Sequence, residues 1–404
     1  MKAIQQLLIA TLLGLTGSTQ ALEKPTYQII LDADFSGTKA SSVSIERGIR
    51  TALAEHNNSA GGFEFELVRK NHHGSTPRSK KNLQQVLKNP QALAVFSGLH
   101  SPPLLANRSF INNNQILLLD PWAAASPITR GKDPQNWIFR LSVDDAKAGY
   151  VIANSAIKEG FKKPYLLLEK TGWGKANNKT MVKALKELDI EPVGVSWFNW
   201  GLGIHGAKIN LRNIYNSGAD VIFLVANAAE GKTFADAILA LEPDLRLPTR
   251  SHWGITGGDF VNHIDDFLKA PQHLQFIQTK FSFISKSPSP LAVEVLERAQ
   301  SLFSDIKGPS DIKAQTGFVH AYDLTKILIS AVNQAQLTGE VVADRRAIHQ
   351  ALENLKNPVE GLIKTYQRPF SPVTASNQDG HEALSQSDYL MGYYGLNNDV
   401  ILIK

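Results

Sequence analysis

From residue 27 onward, short aliphatic runs alternate with longer stretches in which apolar residues recur every three or four positions. The runs read as strands and the stretches as amphipathic helices; their alternation is the pattern of a doubly wound α/β sheet. A strand over 27–32 leads into a helix over 43–57, whose Ile45, Ile49, Ala52 and Leu53 share one face. Residues 58–62, rich in Asn and Gly, break it. Strands over 63–70, 92–96, 115–119 and 137–141 and helices over 78–88 and 102–112 complete a first unit.

The rhythm then restarts. Helices over 146–159, 175–188, 208–216 and 230–241 alternate with strands over 164–168, 191–197, 221–225, 249–251 and 276–282. Helices over 290–303, 316–336 and 344–355 follow, and residues 363–404 read as strand and loop. Two successive α/β units imply two lobes. In such sheets ligands sit beyond the carboxyl ends of the strands, so two units face to face place loops 34–41, 71–75, 98–102 and 120–126 opposite loops 171–174, 227–231 and 252–258.

Ahead of the first strand, residues 1–21 carry one Lys, an apolar run over 7–15, then small polar residues ending in Thr19 and Ala21. That order predicts a secretory signal peptide cleaved before Leu22 and a periplasmic mature protein. The run is about half the roughly 20 residues a membrane span needs, and later apolar runs are strand-sized, so no spanning segment is expected.

Composition changes the picture only by exclusion. With 43% hydrophobic and 20% charged residues among 404, the chain has ordinary globular usage and room for two domains. The absence of Cys rules out disulfides, thiolate metal sites, a cysteine nucleophile and a lipid-anchored Cys. Without its leader the chain has 41 basic against 37 acidic residues, since Lys2 leaves and no acid does. This scattered charge predicts no nucleic-acid partner. His72, His73 and His100 all follow strands of the first unit and form a conceivable metal group, although no carboxylate lies at ligand spacing. No nucleophile elbow, phosphate loop or His-Glu-x-x-His pattern occurs, so neither catalysis nor a cofactor is expected. Asp144 reads as a helix cap.

The segments DADFSGTKASSVSIERGIRTALAEHNNSAGG, AVFSGLHSPPLLA, ILLLDPWAAASPITRG, IFRLSVDDAKAG, TGWGKANNKTMVKAL, SGADVIFLVANAAEG, GFVHAYDLTKIL and PFSPVTASNQDGHEAL resemble, in order and separation, the type I periplasmic solute-binding proteins of ABC importers. The resemblance covers nearly the whole mature chain. It implies two Rossmann-like lobes joined by a three-crossover hinge, with 22–142 and 284–362 in lobe one and 143–283 and 363–404 in lobe two. It further implies a monomeric receptor that closes on a small-molecule ligand. The resemblance implies a membrane partner that is an inner-membrane ABC permease or, alternatively, a signalling protein for which it acts as sensor.

Carried over residue by residue, the family's carboxylate-binding Ser falls on Ser101, and its ligand-covering aromatic on Trp173. Asn227 stands where a Tyr is common, Ala124 where a hydroxyl is common, Trp122 where a small residue is usual, and Trp253 near the acid that pairs with an α-amino group. The ligand-binding candidates are thus Ser36, His100, Ser101, Asp120, Trp122, Ala124, Trp173, Asn227 and Trp253. Loss of the acid argues against a standard α-amino acid unless Asp120 substitutes, and the tryptophans suggest a planar or apolar ligand. Trp197 and Trp200 are assigned to packing.

Overall fold

The computed structural model describes residues 25–131, 135–285 and 287–403; the expected leader lies outside them. Lobe one opens with β1 (Thr26–Ala33), α1 (Lys39–Glu55), a two-residue β2 (Ser59–Ala60) and β3 (Phe63–Asn71). It continues through α2 (Thr76–Lys88), β4 (Ala92–Ser97), α3 (Ser101–Asn113), β5 (Leu118–Asp120) and β6 (Ile138–Arg140). These strands form one sheet in the order β2-β3-β1-β4-β5-β6, parallel except for the β2–β3 hairpin. β4 is buried at every position, as expected of a parallel strand covered by helices on both faces.

Lobe two contains α4 (Asp145–Lys158), β7 (Pro164–Glu169), α5 (Gly172–Lys186), β8 (Gly194–Phe198), α6 (Ile204–Asn216), β9 (Val221–Val225) and α7 (Ala228–Leu239). β10 (Thr249–Ser251), α8 (Phe260–His263) and β11 (Leu274–Thr279) follow. The chain then returns to lobe one with α9 (Pro290–Leu302), α10 (Gln315–Ala335), α11 (Val341–Glu353) and the small ladder of β12 (Val359–Glu360) and β13 (Thr365–Tyr366). It ends with β14 (Tyr389–Tyr394) and β15 (Val400–Leu402), which complete the second sheet as β15-β14-β11-β10-β9-β7-β8.

α1 and α10 pack along each other so closely that a Cβ at Gly48 would fall 2.2 Å from the Phe318 carbonyl oxygen, which only glycine permits. Residues 363–384, expected in lobe two, stay against lobe one. Phe370 meets Phe139 edge-on at 5.1 Å, the Tyr366 hydroxyl donates to Asp323 on α10, and Ala383 N donates to Arg140 O on β6. The last crossover therefore falls after Leu384. The aromatic anchors of this segment hold it to β6, and its many turn residues disguised that attachment.

Charged groups cluster where the first and last crossovers meet. Arg140 and Asp144 flank the first crossover, and Glu382 sits on the last segment before it leaves lobe one. Arg140 Nη2 lies 3.0 Å from Glu382 Oε1 and 3.2 Å from Asp144 Oδ1, Arg130 contacts both acids, and Lys147 Nζ donates to Glu382 Oε2 at 2.9 Å. Burial opposes ionisation of Glu382, but the flanking Arg140, Arg130 and Lys147 hold its carboxyl well below the usual range. Asp144 also accepts from Ala146 N at the start of α4, the cap that its position predicts.

Candidate functional site

In each sheet the chain first steps to one side and then to the other, and the crevice opens where that reversal occurs. In lobe one the reversal separates β3 from β4 around β1; in lobe two it separates β8 from β9 around β7. The loops after β1 and β4 therefore face those after β7 and β9. Between them lies a cavity of about 10 Å³, room for about one water molecule, so a ligand enters only when the lobes part.

Its walls are Leu99, His100, Ser101, Pro102, Trp122 and Ala124 from lobe one, and Glu169, Trp173, Asn227, Trp253 and Gly254 from lobe two. Seven of the nine sequence candidates come together here. Ser36 and Asp120 do not line it. Ser36 bonds His73 Nδ1 at 2.7 Å and accepts from Asn71 Nδ2 at 3.0 Å, beside a separate groove of about 430 Å³. Asp120 is fully buried behind the cavity, accepting from Ser97 Oγ and from the N–H groups of Trp122 and Ala123. Burial pushes its carboxyl up to about 6 despite these bonds and nearby Arg140. It shapes the turn that carries Trp122 and does not reach the cavity to replace the missing acid.

The indoles are set rigidly. Trp122 and Trp253 are each 1% exposed and Trp173 6%, and all three belong to the buried cluster that runs from one lobe into the other. Trp173 Nε1 donates to Asp145 Oδ1 at 3.2 Å, and His252 Nε2 meets the same oxygen at 3.0 Å. Gly254 N donates to His252 Nδ1, which places the proton of the neutral ring on Nε2, turned toward Asp145. A Cβ at Gly254 would stand 2.5 Å from the Trp173 ring, so this close approach needs glycine. Trp253 packs on His320 with ring centres 4.9 Å apart.

Sequence reasoning missed Glu169. It ends β7, is 1% exposed, and accepts from Asn227 Nδ2 through Oε2 at 2.9 Å, while Oε1 has no protein partner. Burial raises its carboxyl, against the pull of the Trp200 and Thr171 side chains. A carboxylate thus enters the cleft from β7, although Trp253 occupies the position where the acid was sought. The signal was present, since an otherwise apolar parallel strand that closes on Glu places a charge at the carboxyl end where ligands sit.

His100 and Trp122 also carry buried polar atoms without a protein partner, at Nδ1 and Nε1. His100 turns Nε2 toward Asp34 Oδ2 at 3.5 Å. Burial works against ionised Asp34, but His100 and the N–H groups of Gly37 and Ser36 hold its carboxyl well below the usual range. Trp200, expected to pack, is instead 45% exposed and reaches over His100 with ring centres 5.7 Å apart, bridging the lobes at the rim.

The three loop histidines do not gather as ligands. His73 is tied to Ser36, and the rings of His72 and His100 stand 6.2 Å apart. Burial lowers His72 to about 4.

Two parallel-sheet lobes that face each other across a strand-end cavity define a clamshell binding fold. The periplasmic binding protein family profile matches residues 30–391, and the chain belongs to that family. Among curated proteins no sequence matches. Solved structures agree in fold. The type 1 periplasmic binding protein of Bordetella pertussis Tohama I superposes with a TM-score of 0.77 at 14% identity, covering 94% of this chain and 99% of that one. The ABC-transporter solute-binding protein of Rhodopseudomonas palustris HaA2, in complex with p-hydroxybenzoic acid, gives 0.77 at 16%, covering 94% and 96%. The branched-chain amino acid transporter substrate-binding protein LivJ of Streptococcus pneumoniae, in complex with isoleucine, gives 0.73 at 17%, covering 94% and 99%. No helix among the described residues is long and apolar enough to cross a membrane.

Proposed function

We propose that this protein is an exported solute-binding protein that closes its lobes on a small organic ligand and delivers it to an inner-membrane ABC permease. The observation that carries this reading is the meeting of residues from both lobes around one small cavity whose walls bear unpartnered polar atoms. A ligand contacting both lobes favours the closed form, and the permease reads that form. Export to the periplasm is supported by the leader over 1–21 and by the family.

The ligand is amino-acid-like or an aromatic amide or amine, with a hydrogen-bond donor for Glu169 and a flat or apolar body among the tryptophans. Charge supports this choice. Glu169 brings a carboxylate into the cavity, whereas α3, whose N-terminus would receive an anion, has Pro102 and Pro103 in its first turn and so lacks two N–H donors. Ser101 remains, with its Oγ accepting from Ala125 N at 3.3 Å. p-Hydroxybenzoic acid and isoleucine, bound by the relatives above, indicate the size.

A thermal-shift screen of amino acids, aromatic amides, aromatic amines and benzoic acids tests the proposal, because a selective binder raises the melting temperature by mass action. Amides or amines outranking the matched acids is the expected result. Acids binding as well would remove Glu169 from ligand selection, and no hit in any class would count against solute binding itself.

A further inference from the structure

Outside the cleft, one group of side chains is disposed as metal ligands are. His349 and Glu353 lie one turn apart on α11, where His349 packs on Trp137 and Phe139. The last segment brings His381 to the same place, its ring stacked on Phe139 at 3.9 Å. One ligand atom from each of the three lies within 4.8 Å of the others.

The proton positions of both imidazoles are fixed by their outer nitrogens. His349 Nε2 donates to Asn136 O at 2.8 Å, and His381 Nδ1 donates to Ile138 O at 3.1 Å. A carbonyl oxygen only accepts, so the neutral rings turn lone pairs inward from His349 Nδ1 and His381 Nε2. Both inner nitrogens face Glu353, at 3.6 Å from Oε2 and 3.0 Å from Oε1 respectively. With both rings neutral and Glu353 ionised, three electron-pair donors converge, His381 Nε2 and Glu353 Oε1 at hydrogen-bond distance. A shared proton satisfies His381 and Glu353 but leaves His349, whose 3.6 Å separation is too long for a hydrogen bond. Holding the outer nitrogen on a backbone carbonyl is how proteins orient metal-binding histidines. Ligand atoms about 2.1 Å from a tetrahedral ion stand roughly 3.4 Å apart; the imidazole nitrogens lie 3.6 and 3.0 Å from different oxygens of Glu353, and side-chain adjustments within the 4.8 Å group bring the three atoms to that spacing.

We propose that His349, Glu353 and His381 form a binding site for a divalent cation of the zinc type. Two imidazole nitrogens and one carboxylate oxygen favour such an ion over magnesium or calcium, which take oxygen donors. The remaining position opens on a cavity of about 360 Å³ lined by His349 and Glu353 with Gln115, Arg346 and Gln350, from which water completes the coordination. His381 directly precedes Glu382, so the bound ion ties α11 to the segment that carries the hinge ion pairs.

The test uses tag-free protein, stripped with a chelator and titrated with Zn²⁺ alone, read by calorimetry and by native mass spectrometry. One ion per chain is expected, together with a higher melting temperature and, with Co²⁺ in its place, the visible absorption of a tetrahedral site. Glu353→Gln and His349→Gln should each weaken Zn²⁺ binding roughly tenfold or more with an unchanged circular dichroism spectrum, and His72→Gln should leave it unaltered. No stoichiometric uptake, or equal affinity in both α11 variants, overturns the proposal. His381→Gln alters a fully buried ring, so the two α11 variants decide the matter even if that protein does not fold.

Discussion

The hinge and the cleft both bury charge, but they leave it in opposite states. At the hinge, Glu382 and Asp144 are met by Arg130, Arg140 and Lys147, so every buried acid faces a cation on another element. In the cleft, Glu169 Oε1, His100 Nδ1 and Trp122 Nε1 are buried without a protein partner. A network in which each acid is ion-paired, even with Arg140 Nε left without a hydrogen bond, fixes the geometry about which two lobes turn. An incomplete one stores a desolvation cost that a ligand of the right polarity removes, and this makes closure selective.

Breaking the hinge should produce the largest effect. Glu382→Ala removes the buried acid shared by Arg140, Arg130 and Lys147, leaving Arg140 only Asp144, and is expected to cost about 3 to 5 kcal/mol in urea denaturation. A loss below about 1 kcal/mol would mean the network is no more complete than the cleft.

Acid provides the next test. His72 lies beside His100, and its folded pKa of about 4 is below the usual value of 6.5. The unfolded chain therefore takes up this proton first. The contribution is present above pH 6.5 and is lost as pH falls from 6.5 to 4, by up to about 3 kcal/mol. His72→Asn should remove that part of the pH dependence, and an NMR titration of the ring should show its low midpoint. A ring titrating near 6.5 would place His72 in contact with water.

Glu169→Gln sharpens the contrast most directly. Folding stability should change by less than about 1 kcal/mol, since one buried oxygen is already unpartnered, while affinity for the best amide or amine ligand should fall by about 1.5 to 3 kcal/mol. A stability loss as large as that of Glu382→Ala would erase the distinction between the two regions. The smallest effect belongs to Trp200→Ala. Its exposed ring should leave stability within about 0.5 kcal/mol yet weaken binding by about 1 kcal/mol, measured by calorimetry.

Much of this was legible along the chain. Continuous apolar runs such as 221–225 mark buried parallel strands, and helical periodicity places Ile45 and Ile49 on the core face of α1. The loops at the two reversals of strand order contain His100, Ser101, Trp173 and Asn227, so strand-end reasoning reached most of the cavity wall. It failed where direction matters more than position. Asp120 sits at a strand end like Glu169 but points into its own turn, and no spacing rule separates the two. His349 and His381 are 32 positions apart and meet only because the last segment lies along β6. Trp200 follows β8, and its reach to the opposite lobe depends on how the lobes approach each other.

The order in which the second sheet is completed has a consequence for synthesis. β11 receives its antiparallel neighbour only from β14, near the end of the chain, and β15 is added last. Until the ribosome has released Tyr389 and the residues beyond it, the rim carrying Phe276 and Ile277 is bare. Lobe one in turn waits for α10 and residues 363–384, so both halves stay open to chaperones, or to a translocation channel, until translation is nearly over.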